Sequence, residues 1–248
     1  MLYKYVGSAD GNETLNYLSW FVEDSTLKAT AAIDFNDPTE FKVIFSFDAK
    51  EDEKKKRFFD LWPKSAEEDC ERWLNLRDTG ESHDALMLRH ASLQSHGVLC
   101  LTHNPANFLM WSHYAHSHTG FCIGFDDKLP DDFFPKDCLL YGNVIYQKNP
   151  PCVNFYTSNG TDISKALFMH KGKAWQYEQE YRLIFLHSGI KEFDKKRIKE
   201  IILGCRVHSQ VESYARSLIG SKIRIFKMRE SFSSYQLEKV ELTKDLYF

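Results

Sequence analysis

Apolar and polar residues alternate at the start of the chain. LYKYV at Leu2–Val6 sets Leu2, Lys4 and Val6 on one face of an extended segment and Tyr3 and Tyr5 on the other, which predicts a first strand. Leu15, Leu18 and Val22 then recur at helical spacing and predict a helix over 13–23, with Asn12 as its N-cap. Residues 27–33 and 41–47 read as strands around a turn at 34–40, where Asn36 and Asp37 favour side-chain to backbone hydrogen bonds and Pro38 fixes the exit. The charge run KEDEKKKR at 50–57 predicts a solvated helical face. Ser65 and Glu68 have the spacing of a capping box for a helix ending near Leu76, and a further helix is expected over 83–95.

The densest pattern lies at 99–126. The apolar run at 98–101 predicts a buried strand. Asn104 and Pro105 open a helix with Phe108, Trp111 and Ala115 on one face, and Gly120 stops it. FCIGFD at 121–126 alternates as a second strand. Further strands are expected at 139–146 and 177–186, and a helix at 162–170 capped by Thr161 or Asp162. A strand–helix–strand unit at 200–203, 210–219 and 222–227 precedes a last strand at 235–242. Mixed strand and helix order predicts an α+β fold: one domain, with a mixed, antiparallel-rich sheet flanked by helices and a helical insertion or lid near 50–95.

With 248 residues the chain can bury a sizeable core, and a net charge of −3 supplies no global basic field for nucleic acid or an anionic membrane. The first residues lack an apolar signal-peptide core, and no apolar run approaches a membrane span, so a cytoplasmic protein with no membrane partner is expected. Six scattered cysteines without a CxxC pair read as buried thiols rather than a disulfide framework or a zinc site.

Two stretches carry candidate chemistry. Alternation along 177–184 lines up Glu178, Glu180 and Arg182 on one face. Such charges are either solvated and bridged by the arginine or, because Leu183–Leu186 continues as an apolar run, covered and functional; a glutamate beside an arginine stays ionised and can orient a sugar hydroxyl. In the helix after Asn104, His113 and Tyr114 are expected to hydrogen-bond a ligand or buried backbone, and His116 and His118 to face solvent. Trp111 is either core or a stacking wall. HxxH with no third ligand at a diagnostic offset does not make a metal site, and none is expected. The turn at Asn36 and Asp37 either is a plain loop or lines a ligand site.

The motifs LYKY, FNDPTE at 35–40, LMWSHYAHSHTGFCIGFD at 109–126, KAWQYEQEYRLI at 173–184 and ILG at 202–204 run in an order that resembles the DUF2971 family of bacterial proteins. Val6 stands where a basic residue is expected in that pattern. The order of a basic first strand, a hydroxyl-bearing central strand and a late ExE is also similar to ADP-ribosyltransferases, although the chain has no STS triplet and no leading Arg or His. That resemblance implies NAD as substrate. Lys4 or Tyr5, with Tyr3 beside them, would grip it, and Thr102 would shape the nicotinamide pocket. Glu178 and Glu180 would be the catalytic pair, with Glu180 orienting the ribose, and Trp111 and Tyr114 would offer aromatic faces. The expected activity is ADP-ribosyl transfer or NAD glycohydrolysis, in a defence or toxin setting. The alternatives are a non-catalytic module that senses a small ligand or nucleotide or binds a protein, and a nucleic-acid-processing enzyme.

Overall fold

The computed structural model describes residues 1–75 and 77–244, without the side chains of 77–82. In chain order the elements are β1 (Leu2–Val6), α1 (Gly11–Val22), β2 (Thr26–Ala31), β3 (Ile44–Ser46), α2 (Glu51–Leu61), α3 (Glu67–Asn75), α4 (Arg77–Ser95), β4 (Gly97–Thr102) and α5 (Phe108–Tyr114). They continue with β5 (Phe121–Phe125), β6 (Cys138–Asn143), β7 (Ile145–Gln147), β8 (Cys152–Asn154), α6 (Gly160–Phe168), β9 (His170–Gly172), β10 (Glu180–Phe185) and β11 (Gly189–Glu192). The last are β12 (Ile198–Leu203), α7 (Ser209–Ser217), β13 (Arg224–Glu230) and β14 (Leu237–Glu241). The fold is α+β, as the mixed element order predicts. The chain divides into two compact units, one formed by Met1–Thr30, Gly97–Asn143 and Gln176–Phe248, the other by Ala31–His96 and Val144–Trp175.

The first unit holds the large sheet. Its strand order is β11-β2-β4-β1-β5-β12-β13-β14, with β10 paired to β4 and β6 to β10. The sheet is mixed and mostly antiparallel, with β12 and β13 parallel. Alternation gives each strand two faces. Leu99 and Leu101, Phe121, Ile123 and Phe125, and Ile201 and Leu203 turn to one side and form the main core with Leu18 and Phe21 of α1 and Val211 and Ala215 of α7. Each such side chain, once withdrawn from water, contributes about 1.5–3 kcal/mol. The cap of α1 is Asp10, whose extended backbone lets its carboxylate accept from the Asn12 N–H at 2.8 Å, so Asn12 already lies inside the helix.

The second unit contains α2, α3, α4, α6 and two short parallel pairs, β3 with β8 and β7 with β9. Its core is aromatic: Phe155 meets Phe45, Phe47 and Tyr156, and Phe58 meets Trp62 and Trp73. The charge run is not wholly solvated, because Arg57 is buried with its guanidinium 5.1 Å from the Phe155 ring centre. A long apolar stem and a π face make that burial tolerable. The helical block at 50–95 thus belongs to a larger unit that also draws on 144–175. The expected helix end near Leu76 lies outside the described residues. Among the described residues, no helix is long and apolar enough to cross a membrane.

Candidate functional site

Strand β10 begins at Glu180, three residues later than alternation suggests. Residues Lys173–Glu178 wind into a 3-10 turn, and Gln179 takes a left-handed φ of 45°. Glu178 therefore lies in the turn that leads into the strand rather than on the strand itself. It is buried, and its Oε1 accepts from the Tyr114 hydroxyl at 2.6 Å. Its carbonyl accepts from the Thr102 hydroxyl at 2.5 Å. Asn107 ties the same turn to α5: its Oδ1 caps the helix at the Leu109 and Met110 N–H groups, and its Nδ2 donates to the Tyr177 carbonyl at 2.7 Å.

Glu180 and Arg182 do share a face. Arg182 Nε donates to Oε1 at 2.8 Å and Nη2 to Oε2 at 2.9 Å, in a pair that is 4% and 0% exposed respectively. Cys100, opposite Arg182 on β4, has its thiol pushed up by burial and by the Glu180 carboxylate.

The strand registers extend this face into a polar row. Glu180 pairs with Thr102, Thr102 with Tyr3, Tyr3 with Gly124, Gly124 with Glu200, and Glu200 with Arg224. Directly paired residues project to the same side, so the row runs unbroken across six strands. Gly124 is its gap: a Cβ there would sit 2.7 Å from Glu200 Cγ and 2.9 Å from Tyr3 Cε1. Through that gap the Tyr3 hydroxyl donates to Glu200 Oε1 at 3.1 Å. Glu200 also accepts from Arg224 at 3.1 Å and from Lys239 at 2.8 Å. Burial and the Glu200 carboxylate push the Tyr3 phenol well up. Tyr5 stands two residues along on the same face, donates to the Asn104 carbonyl at 2.8 Å, and has its phenol raised chiefly by burial. Lys4 alternates to the opposite side with Leu2 and Val6, opposite Ile123.

Helix α5 covers this face. It starts at Phe108 rather than at Pro105 because Thr102 and Asn104 first close tight turns, accepting from the Asn104 and Ala106 N–H groups. Trp111 is fully buried. Its indole donates to the Pro105 carbonyl at 2.9 Å, and its ring meets Tyr5 edge-on at 5.0 Å and stacks with His118 at 6.4 Å. Its faces therefore meet protein rather than an open cleft. His113 is exposed and Tyr114 partly exposed. Phe108, expected beside Trp111 in the core, is the first residue of a seven-residue helix and is 55% exposed.

His118 corrects an expectation of solvent exposure: only 8% of it is accessible. His116, Ser117 and His118 all have left-handed φ values, 43°, 54° and 71°, which bring the chain back beneath Trp111. The His118 N–H donates to the Trp111 carbonyl, and its own carbonyl accepts from the Arg206 N–H. The Ser112 hydroxyl donates to the Phe108 carbonyl and so accepts from His118 Nε2 at 3.2 Å. This hydrogen-bond pattern assigns the tautomer, leaving Nδ1 as a lone-pair acceptor. Nδ1 is buried without a partner. Burial, then Arg206, hold the imidazole below its ordinary pKa. His118 lines a groove of about 760 Å³ with Phe108, Cys205, Arg206 and the loop between β13 and β14.

Asn36 and Asp37 belong to the second unit. Asp37 Oδ1 accepts from both the N–H and the hydroxyl of Thr39 at 2.7 Å, the turn chemistry expected of it, while Oδ2 is buried without a partner. All six cysteines are free. Among the described residues no group of three or more His, Cys, Asp or Glu could hold a metal ion. Sequence reasoning missed Glu200, whose signal was an acid inside the apolar run IKEIIL, and His118, whose left-handed turn has no sequence marker.

No curated protein and no solved structure matches the chain. Residues 110–183, which include β5 and most of α5, match the family model described as protein of unknown function (DUF2971).

Proposed function

We propose that the first unit is an NAD-using glycosyl-transfer domain, acting as an ADP-ribosyltransferase or NAD glycohydrolase. The observation that carries the reading is the register: Tyr3, Thr102 and Glu180, an aromatic hydroxyl, an aliphatic hydroxyl and a carboxylate, are direct neighbours on three adjacent strands. Breaking the bond between nicotinamide and ribose develops positive charge on the sugar. A fixed carboxylate lowers that barrier and orients a ribose hydroxyl. In this reading Glu180 is that carboxylate and Arg182 holds its rotamer. Glu178, fixed by Tyr114, braces the turn that delivers Glu180 to the row.

NAD titration of the wild type and of Tyr3→Phe and Thr102→Val tests the reading. Both variants keep the side-chain bulk but lose the hydroxyl bonds to Glu200 and to the Glu178 carbonyl, so circular dichroism accompanies the titration, and each is expected to weaken NAD binding about tenfold, equal to 1.4 kcal/mol. Unchanged affinity in both would remove the row from the site. The groove beside His118 favours a second reading, a module that senses a ligand without turning it over.

A further inference from the structure

The groove lined by His118 is separate from the polar row. Trp111 lies between them, with His118 stacked on its ring and Tyr5 of the sheet face against its edge. On the groove's outer side, Phe232 and Tyr235 of the hairpin loop are 95% and 107% exposed. Two large aromatic side chains left in water on one loop are characteristic of a binding surface. Phe108 adds a third partly open ring.

The polar lining is specific. Arg206 and Glu230 both face the groove, and neither makes a side-chain ion pair among the described residues. The buried Nδ1 of His118 is an acceptor without a donor. A ligand suited to this lining offers a flat ring to the aromatics, N–H donors to the two acceptors, and an anion to the guanidinium fork. The volume suits a molecule of nucleotide size.

We propose that this groove is a binding site for an aminopurine nucleotide, with the base stacked against Phe232 and Tyr235, its amino group directed to Glu230 and His118, and its phosphate on Arg206. The site is independent of the glycosyl-transfer reading: AMP binding without nicotinamide release would leave it standing, and the converse would leave that reading standing.

The test is calorimetric titration of AMP into the full chain and into Arg206→Ala and Tyr235→Ala. Both replaced residues are exposed, so melting temperature is expected to hold. AMP is expected to bind the wild type, with each variant weakened at least about tenfold, and purine riboside 5′-monophosphate, which lacks the amino group, is expected to bind several-fold less tightly than AMP. Absence of AMP binding at millimolar concentration, an affinity unchanged within about twofold in either variant, or equal binding of the two nucleotides overturns the assignment.

Discussion

Arg182 and Glu180 meet side by side on β10 through two parallel hydrogen bonds of 2.8 and 2.9 Å, with the guanidinium wholly buried and the carboxylate nearly so. Desolvating two charges is costly, and only tight geometry offsets it. Removing one partner takes two charge-assisted hydrogen bonds from the other. Arg182→Met is therefore expected to destabilise the fold by about 3–5 kcal/mol, while the double variant Arg182→Met, Glu180→Gln recovers much of that loss. Urea unfolding of the two variants checks it: a double variant no more stable than the single one contradicts the account.

Gly124 keeps open the space through which Tyr3 reaches Glu200. Gly124→Ala places a methyl group 2.7 Å from Glu200 Cγ and 2.9 Å from Tyr3 Cε1, so both side chains must move. A cost of about 1–3 kcal/mol follows from overpacking. The Tyr3 phenol, raised first by burial and then by the Glu200 carboxylate, should ionise at lower pH in this variant. Ultraviolet titration reads the second effect and denaturant unfolding the first.

His118 makes stability depend on pH with a defined sign. The folded protein holds its ring neutral below the ordinary histidine value of about 6.5, through burial and then Arg206, while the unfolded chain takes up a proton near that value. Between the two values the unfolded state binds more protons, so stability rises with pH there. The contribution is fully present above about pH 6.5 and is lost as pH falls through the folded value. Melting temperature followed from pH 8 to pH 5 should therefore drop more steeply for the wild type than for His118→Gln.

Gly204 is the backing of the same loop. A Cβ at this position would lie 2.1 Å from the His118 carbonyl oxygen, a backbone atom that cannot swing aside. Gly204→Ala should destabilise the fold by about 1–3 kcal/mol, measured by thermal or urea unfolding. A neutral result would show that the left-handed turn at 116–118 is not held against this residue.

Much of the sheet was legible in the sequence because its strands alternate. LYKYV, the apolar run at 98–101 and FCIGF each place their inward residues by period alone, and Glu180 with Arg182 followed from the same rule. What alternation cannot show is where it stops. Gln179 turns left-handed, so the strand begins at Glu180 rather than at Tyr177, and the left-handed residues 116–118 carry His118 out of solvent. Neither segment carries a glycine at the unusual backbone position, so no residue type announces the turn. The burial of Arg57 was hidden for another reason: the aromatic ring that receives it, Phe155, is about a hundred positions away along the chain. Tyr3 and Glu200 likewise meet only through the strand registers.

The central claim is that Glu180 serves NAD chemistry, and nicotinamide release from NAD is its most direct measure. The account predicts release by the wild type and a rate lower by at least about 100-fold in Glu180→Gln, with circular dichroism showing the variant still folded. A wild type that neither binds NAD nor releases nicotinamide, or a folded Glu180→Gln that turns over at the wild-type rate, would contradict it.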